Sequence, residues 1–531
     1  MTAAALERHT SDCTPGHPAV YFAAAHFFFR QLDNWLNSDE ANHLSEADAE
    51  AQVQCRGREL LRLLLQAHLA QRGTGQVGHA LRVFDPPTPT QGPDDPARGP
   101  DATAQAPPPP PQPAARHAEK RLHGRTLHTT LGEVIVWRTG YAAPGRTSVH
   151  PLDQQLRLPG RCFSHPLQED LLRHAVQGPF GEAVGHVRRA TGIALSKRSA
   201  EQLGVEAAAD FQAFYRQQPA AEAGGGGPIV VTGIDCKGVP MIKPEKTLRK
   251  ARLRKGDKKH KKRMATVASV RTAQPRVRSP EEVADSLFAA TPKDKPPRVR
   301  RKPPAPAEHK RVWADLLASK DAVIAEVVEE VRRVDPSGAK RHVALCDGER
   351  ALKRRILPAL QKVAPGAVLI LDLMHVLEKL WKVGHCFYEE GSDEATAWVR
   401  QQALRVLRGE VGAVIEGIQV RAGEGGLKGS PRESVDKACR YLQRNREYMR
   451  YDEYLRQGLP IASGCVEGAC KHLIKDRLER SGMRWSLEGA QAMIRLRSLY
   501  VSGDFDEYWD FHLQQEQRRL YPPGRWEVVE E

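Results

Sequence analysis

Ile229-Val-Val-Thr-Gly-Ile-Asp235 is a largely β-branched run that stops on a carboxylate. The same figure recurs in Arg341-His-Val-Ala-Leu-Cys-Asp347 and in Ala367-Val-Leu-Ile-Leu-Asp372. Short apolar runs without alternation read as strands buried on both faces, the habit of a sheet covered by helices. Helical patterns follow at residues 310–333, 351–363 and from 375 to about 456. Pro460-Ile-Ala-Ser-Gly then breaks the chain before a helix that carries Glu467. Strands alternating with helices predict an α/β fold.

An acid closing a buried strand is out of place in a core. Hard divalent cations prefer carboxylate oxygen and need several acids converging on one point. A pair of such ions can activate the attacking oxygen and stabilise the leaving oxygen of a phosphoryl displacement. Each acid alone is ambiguous, and Asp347-Gly348 also reads as an ordinary turn. Their succession along a basic chain favours a shared site.

The chain has 531 residues, too many for one core, and predicts several domains joined by linkers. Lys and Arg total 80 against 65 Asp and Glu, a net +15, which favours a polyanionic partner. The nine cysteines form no CxxC pair, so neither a disulfide framework nor a zinc ribbon is indicated; reduced thiols in a cytoplasmic protein fit best. Cys465, Cys470 and His472 share one expected helix with no fourth ligand, and read as packing residues. Glu7, Arg8 and His9 stand where a signal peptide needs an apolar core, and the apolar stretch 19–29 is too short to span a membrane.

Organisation follows composition. Residues 1–84 read as a helical N-terminal region and 85–118 as a Pro-rich linker containing the run 107–111. Residues 119–220 read as a β-hairpin, turning at Leu131-Gly132, followed by helices that resemble a helix-turn-helix at Thr191-Gly192. The α/β core begins at 228 and runs to 375, with a basic insertion at 243–311. A helical insertion at 376–456 precedes the helix of Glu467 and the C-terminal helices of 457–520.

Four segments together are similar to ISKra-type bacterial insertion-sequence transposases: Asp235-Cys-Lys-Gly-Val, Asp372-Leu-Met-His375-Val-Leu-Glu-Lys-Leu-Trp381, Leu459-Pro-Ile-Ala-Ser-Gly-Cys-Val-Glu467-Gly-Ala-Cys and Gly482-Met-Arg-Trp485-Ser-Leu-Glu-Gly. The likeness covers roughly residues 120 to 515. It implies an RNase H-like catalytic domain, with a helical insertion before the last catalytic helix and mostly helical DNA-binding regions ahead of it. The succession of acids fits that fold. The catalytic and metal-binding acids carried over are Asp235, Asp347 and Glu467, holding two Mg2+ or Mn2+ ions. Asp372 and His375 match the family's D-x-x-H element and are taken as accessory. Asp347 is preferred to Asp372 as second ligand. The implied activity is cleavage at transposon ends and strand transfer into target DNA, by a homodimer or larger assembly on DNA, in the bacterial cytoplasm and without a membrane. Two alternatives stand beside it: an RNase H-like nuclease without strand transfer, and a domesticated, catalytically inactive DNA-binding protein.

Candidate DNA contacts follow the charge. Residues 243–263 hold twelve Lys or Arg, among them Lys250, Arg252, Arg254, Lys258, Lys259, Lys261, Lys262 and Arg263. Runs of this density are usually solvated, but beside a strand-end acid they are placed to meet phosphate. Lys197 and Arg198 open the second helix of the helix-turn-helix pair, which is equally the start of a helix in any bundle. Arg484 and Trp485 offer a cation and a ring for a splayed base, against packing of the indole in the core.

Overall fold

A computed structural model describes residues 21–84, 115–222, 225–242, 262–288, 308–462 and 464–530. Two compact units divide the chain: Met1–Leu203 with Trp509–Glu531, and Gly204–Tyr508. Each has its own sheet. The boundary falls inside a helix, so residues 204–220, read above with the N-terminal helices, belong to the second unit.

In the first unit, helix α1 (Glu46–Gln71) starts where Ser45 accepts the Asp48 N–H at 3.2 Å. Strands β1 (Ala80–Val83), β2 (Ala115–Thr129) and β3 (Gly132–Ala142) join the C-terminal strand Trp526–Val528 in an antiparallel sheet. The hairpin is longer than expected. Residues 115–118, assigned above to the linker, pair as strand, and 80–83 are strand rather than helix. Leu127, Val134 and Val136 alternate inward and pack with Leu152 and Leu158. Helices α2 (His165–Gln177) and α3 (Phe180–Thr191) pack as a hairpin. Gly192, at φ 78°, closes α3, a left-handed cap that glycine adopts without penalty. Helix α4 (Lys197–Ala207) follows.

In the second unit, strands β4 (Ile229–Pro240), β5 (Lys262–Ala273) and β6 (Glu308–Asp315) form an antiparallel meander. After helix α5 (Lys320–Val334) come β7 (Arg341–Cys346), helix α6 (Arg350–Gln361) and β8 (Val368–Leu371). The sheet order is β6-β5-β4-β7-β8, and β7 and β8 run parallel to β4. One expectation fails: residues 308–315 are strand, and helix begins only after Ser319, whose hydroxyl caps the Ala322 N–H. Val312, Trp313 and Ala314 are buried there, and that burial decides the backbone. The insertion therefore ends before Glu308, and β5 interrupts it. Within the basic insertion, Pro280–Leu287 is helical behind a Ser279/Glu282 capping box.

Helices α7 (Leu373–Gly384), α8 (Asp393–Leu407), α9 (Val411–Glu424) and α10 (Gly429–Asn445) make the expected helical block. Val376, Leu380, Val399, Val406, Val414 and Leu442 join Val231, Val343, Leu345 and Ile370 of the sheet in one core. Helix α11 (Gly464–Ala469) runs into a single π-helical turn, Cys470–Lys475, and helix α12 (Leu487–Ser502) lies along β6. No helix of the described residues is long and apolar enough to cross a membrane.

Candidate metal centre

Parallel pairing sets the level of each acid. The β4–β7 ladder matches Ile229 with Arg341 and Gly233 with Leu345, and that register continued two residues brings Asp235 level with Asp347. The β7–β8 ladder matches Cys346 with Leu371, so Asp347 is level with Asp372. Adjacent strands lie about 4.8 Å apart. The three aspartates therefore form one row along the edge where the parallel strands end. Along β4, residues 229–234 are buried and Asp235 is half-buried, so the acid stands where the core opens.

Each aspartate is fixed by its neighbours. The Cys236 N–H donates to Asp235 Oδ1 at 2.6 Å, and the Cys470 thiol donates to Oδ2 at 3.2 Å. The Glu349 N–H donates to Asp347 Oδ1 at 2.7 Å, and Tyr441 Oη donates to the Asp347 carbonyl at 2.8 Å. Gly348 turns the chain at φ 85°, and a Cβ there would sit 3.0 Å from both Leu371 and the Tyr441 hydroxyl. Asp372 is fully buried and caps α7, accepting the Met374 N–H at 2.7 Å.

Glu467 arrives from far along the chain. Its helix α11 lies on β4 so closely that a Cβ on Gly233 would fall 2.6 Å from Val466 Cγ2. Glycine is required there for contact between strand and helix. The π turn begins three residues after Glu467 with Cys470, the residue bonded to Asp235; such bulges recur at functional sites.

The ligand atoms of Asp372, His375 and Glu467 lie within 4.8 Å of one another. Asp235 and Asp347 are outside that tight group and are tied to it by charge. Burial raises the Asp347 pKa, with Asp235 adding to the rise and His375 opposing it. Burial also raises Glu467, followed by the charge of Asp372, and Asp235 contributes as well. Four carboxylates thus repel one another at a part-buried edge, a situation that a cation relieves. His375 Nδ1 is buried without a hydrogen-bond partner, which leaves a ring nitrogen unused beside the acids. The donors fit a divalent cation, with oxygen predominant and one imidazole. The residues taken as accessory thus form the tight group with Glu467, and Asp347 lies between Asp235 and Asp372 in the row. Signals missed in the sequence include Gly233, Tyr441 and Cys470; only the last had been noticed, as a packing thiol.

The candidate DNA contacts divide. Lys197 and Arg198 are exposed on the first turn of α4, and the aliphatic end of Lys197 lies over Gly181 of α3. Lys250, Arg252, Arg254, Lys258, Lys259 and Lys261 lie outside the described residues. Lys262 is exposed and pairs with Glu479, and Arg263 Nε donates to the Leu316 carbonyl at 2.8 Å. Arg484 is exposed. Trp485 corrects the stacking expectation. It is 6% exposed, its indole N–H donates to the Leu478 carbonyl at 3.1 Å, and the Arg477 guanidinium covers its ring at 4.9 Å. Its apolar area is used in the core, with no face left for a base.

Among known proteins, no family model matches this chain and no curated protein matches it.

Proposed function

We propose that this chain is a metal-dependent DNA transposase of the ISKra type, which cleaves DNA at the ends of a mobile element and joins them to target DNA. The observation that carries the reading is the row Asp235, Asp347, Asp372 at one sheet edge, met by Glu467 on a helix seated against β4. The strand order and directions, with two antiparallel strands on one side of β4 and two parallel strands on the other, fit an RNase H-like domain. In that fold the acids of the first strand, the fourth strand and the last helix do the work, which matches Asp235, Asp347 and Glu467.

Those three acids would hold two Mg2+ or Mn2+ ions, with Asp372 and His375 beside them. Bound ions of this kind supply charge neutralisation and activation of the attacking oxygen. The protein contributes preorganisation. Backbone N–H groups and the Cys470 thiol keep the carboxylates aimed, and the Tyr441 bond holds the turn that carries Asp347. Lys197 and Arg198, exposed on α4, would contact base edges at the element's ends, and cations at the start of β5 would meet phosphates, providing affinity without reading sequence. Bringing two ends together calls for at least a dimer on DNA.

The test is an assay on end-bearing DNA in Mg2+ with the full chain. Asp235→Asn and Glu467→Gln abolish cleavage and joining while DNA binding persists; cleavage retained in either variant overturns the reading. Cleavage by the unaltered chain without joined product would make it a nuclease instead.

A further inference from the structure

Helices α2 and α3, linked by Gly178-Pro179, bring together three side chains remote in function from the acids above. Asp170 and His174 stand four residues apart on α2 and so share a face. His186 meets them from α3. His174 Nε2 lies 3.7 Å, and His186 Nε2 3.8 Å, from one oxygen, Asp170 Oδ1. The two imidazoles lie 3.5 Å apart between centroids, with planes 32° from parallel. All three side chains are about one-third exposed, at 34% and 38%, so an ion has access from solvent.

Neither histidine is within hydrogen-bonding distance of the carboxylate, so an ordinary hydrogen-bonded triad does not account for the convergence. Tetrahedral Zn2+ holds nitrogen and oxygen at about 2.0–2.1 Å, which separates its ligand atoms by roughly 3.4 Å. The two His–Asp separations need to close by only a few tenths of an ångström. Two imidazoles on one tetrahedral ion have centroids about 5 Å apart, so the rings also have to part from their present 3.5 Å stack by turning about χ1.

We propose that Asp170, His174 and His186 form a Zn2+-class site that fastens α2 to α3. Three protein ligands leave one position for water. The site is separate from the acidic centre in residues and in ion class, since two imidazoles and one carboxylate suit a borderline transition metal rather than Mg2+.

The test uses the full chain, stripped with chelator and titrated with Co2+, whose tetrahedral complexes absorb strongly in the visible range. The unaltered chain and the double variant His375→Ala/Glu467→Gln both develop the band, and Zn2+ displaces it. Made in the double variant, His174→Ala and His186→Ala lose roughly tenfold or more in Co2+ affinity, and Zn2+ no longer raises their thermal midpoint. Asp170→Asn, close to isosteric, does the same, and serves if a histidine variant fails to keep its metal-free circular dichroism. Unchanged Co2+ affinity in these hairpin variants, or a band lost only in the double variant, overturns the proposal.

Discussion

The two centres bring histidine and carboxylate together by opposite routes. At the hairpin, two of the three residues share one helix and the third comes from the next, sixteen positions at most along the chain. At the sheet edge, Asp372 and His375 meet Glu467 from more than ninety residues away. The hairpin group is part-exposed and made by local packing. The edge group includes a fully buried carboxylate and depends on strand register, a glycine contact and a helix arriving late in the chain. A local site costs little to assemble and serves to fasten what is already adjacent. A site built from distant segments keeps like charges close together only because the whole core holds them there, and such repulsion is what binding a cation relieves.

The largest effect that sharpens this contrast is catalytic. Ligation of a transferring phosphoryl group is worth several kcal/mol, at tenfold per 1.36 kcal/mol, so Asp347→Asn should lower the cleavage rate on the order of 10³-fold. His375→Ala should cost roughly 10–100-fold, the size expected of a group that orients ligands. Single-turnover cleavage of end-bearing DNA measures both. Equal losses would make His375 a ligand on a par with the acid.

Gly233→Ala tests whether the late helix must lie against β4. The added methyl meets Val466 Cγ2 at 2.6 Å and pushes α11 outward, carrying Glu467 with it. Displacement of about 1 Å at a catalytic group can cost on the order of 10²-fold. Turnover should fall that far while circular dichroism stays unchanged. Full activity would mean that the fit between strand and helix is not needed.

Smaller effects appear in stability. Chelation should lower the thermal midpoint of the unaltered chain by roughly a few degrees, and Asp170→Asn should lessen that dependence. At the edge the sign reverses. Asp347 and Glu467 have raised pKa values, so the folded chain keeps their protons to higher pH than the unfolded chain does. Their contribution to stability therefore falls as pH climbs from the ordinary carboxylate range, about 4, through the raised values. Metal-free Asp347→Asn should melt a few degrees above the unaltered chain at neutral pH, and the difference should vanish in acid. Calorimetry across that range checks it; a variant less stable at neutral pH would show that the charge is not strained.

Much of the second unit was legible because its signals are local. Residues 229–235, 341–347 and 367–372 are too apolar and too short to be anything but buried strands; Asp347 and Asp372 follow their strands directly, whereas β4 runs on past Asp235 to Pro240. Ser319 and Ser279 are local caps that the reading above does not use, and both set the start of a helix. Residues 308–315 were misread because Glu308-His-Lys-Arg begins polar and lacks alternation; pairing with β5 and cover from α12 outweigh that weak local preference. Strand β1 was missed for a similar reason, since its four residues are strand only when paired between β2 and the distant 526–528.

By itself the sequence determined which residues could carry metal chemistry and marked the strands and helices whose signals are local, because capping, periodicity and apolar runs are properties of near neighbours. Tertiary structure decided which of those residues meet. It set Asp347 between Asp235 and Asp372, put Cys470 on Asp235, turned Trp485 inward and brought His186 to Asp170. Register and docking are chosen by the burial of surfaces that lie far apart along the chain, and no window of neighbouring residues contains both halves of such a surface.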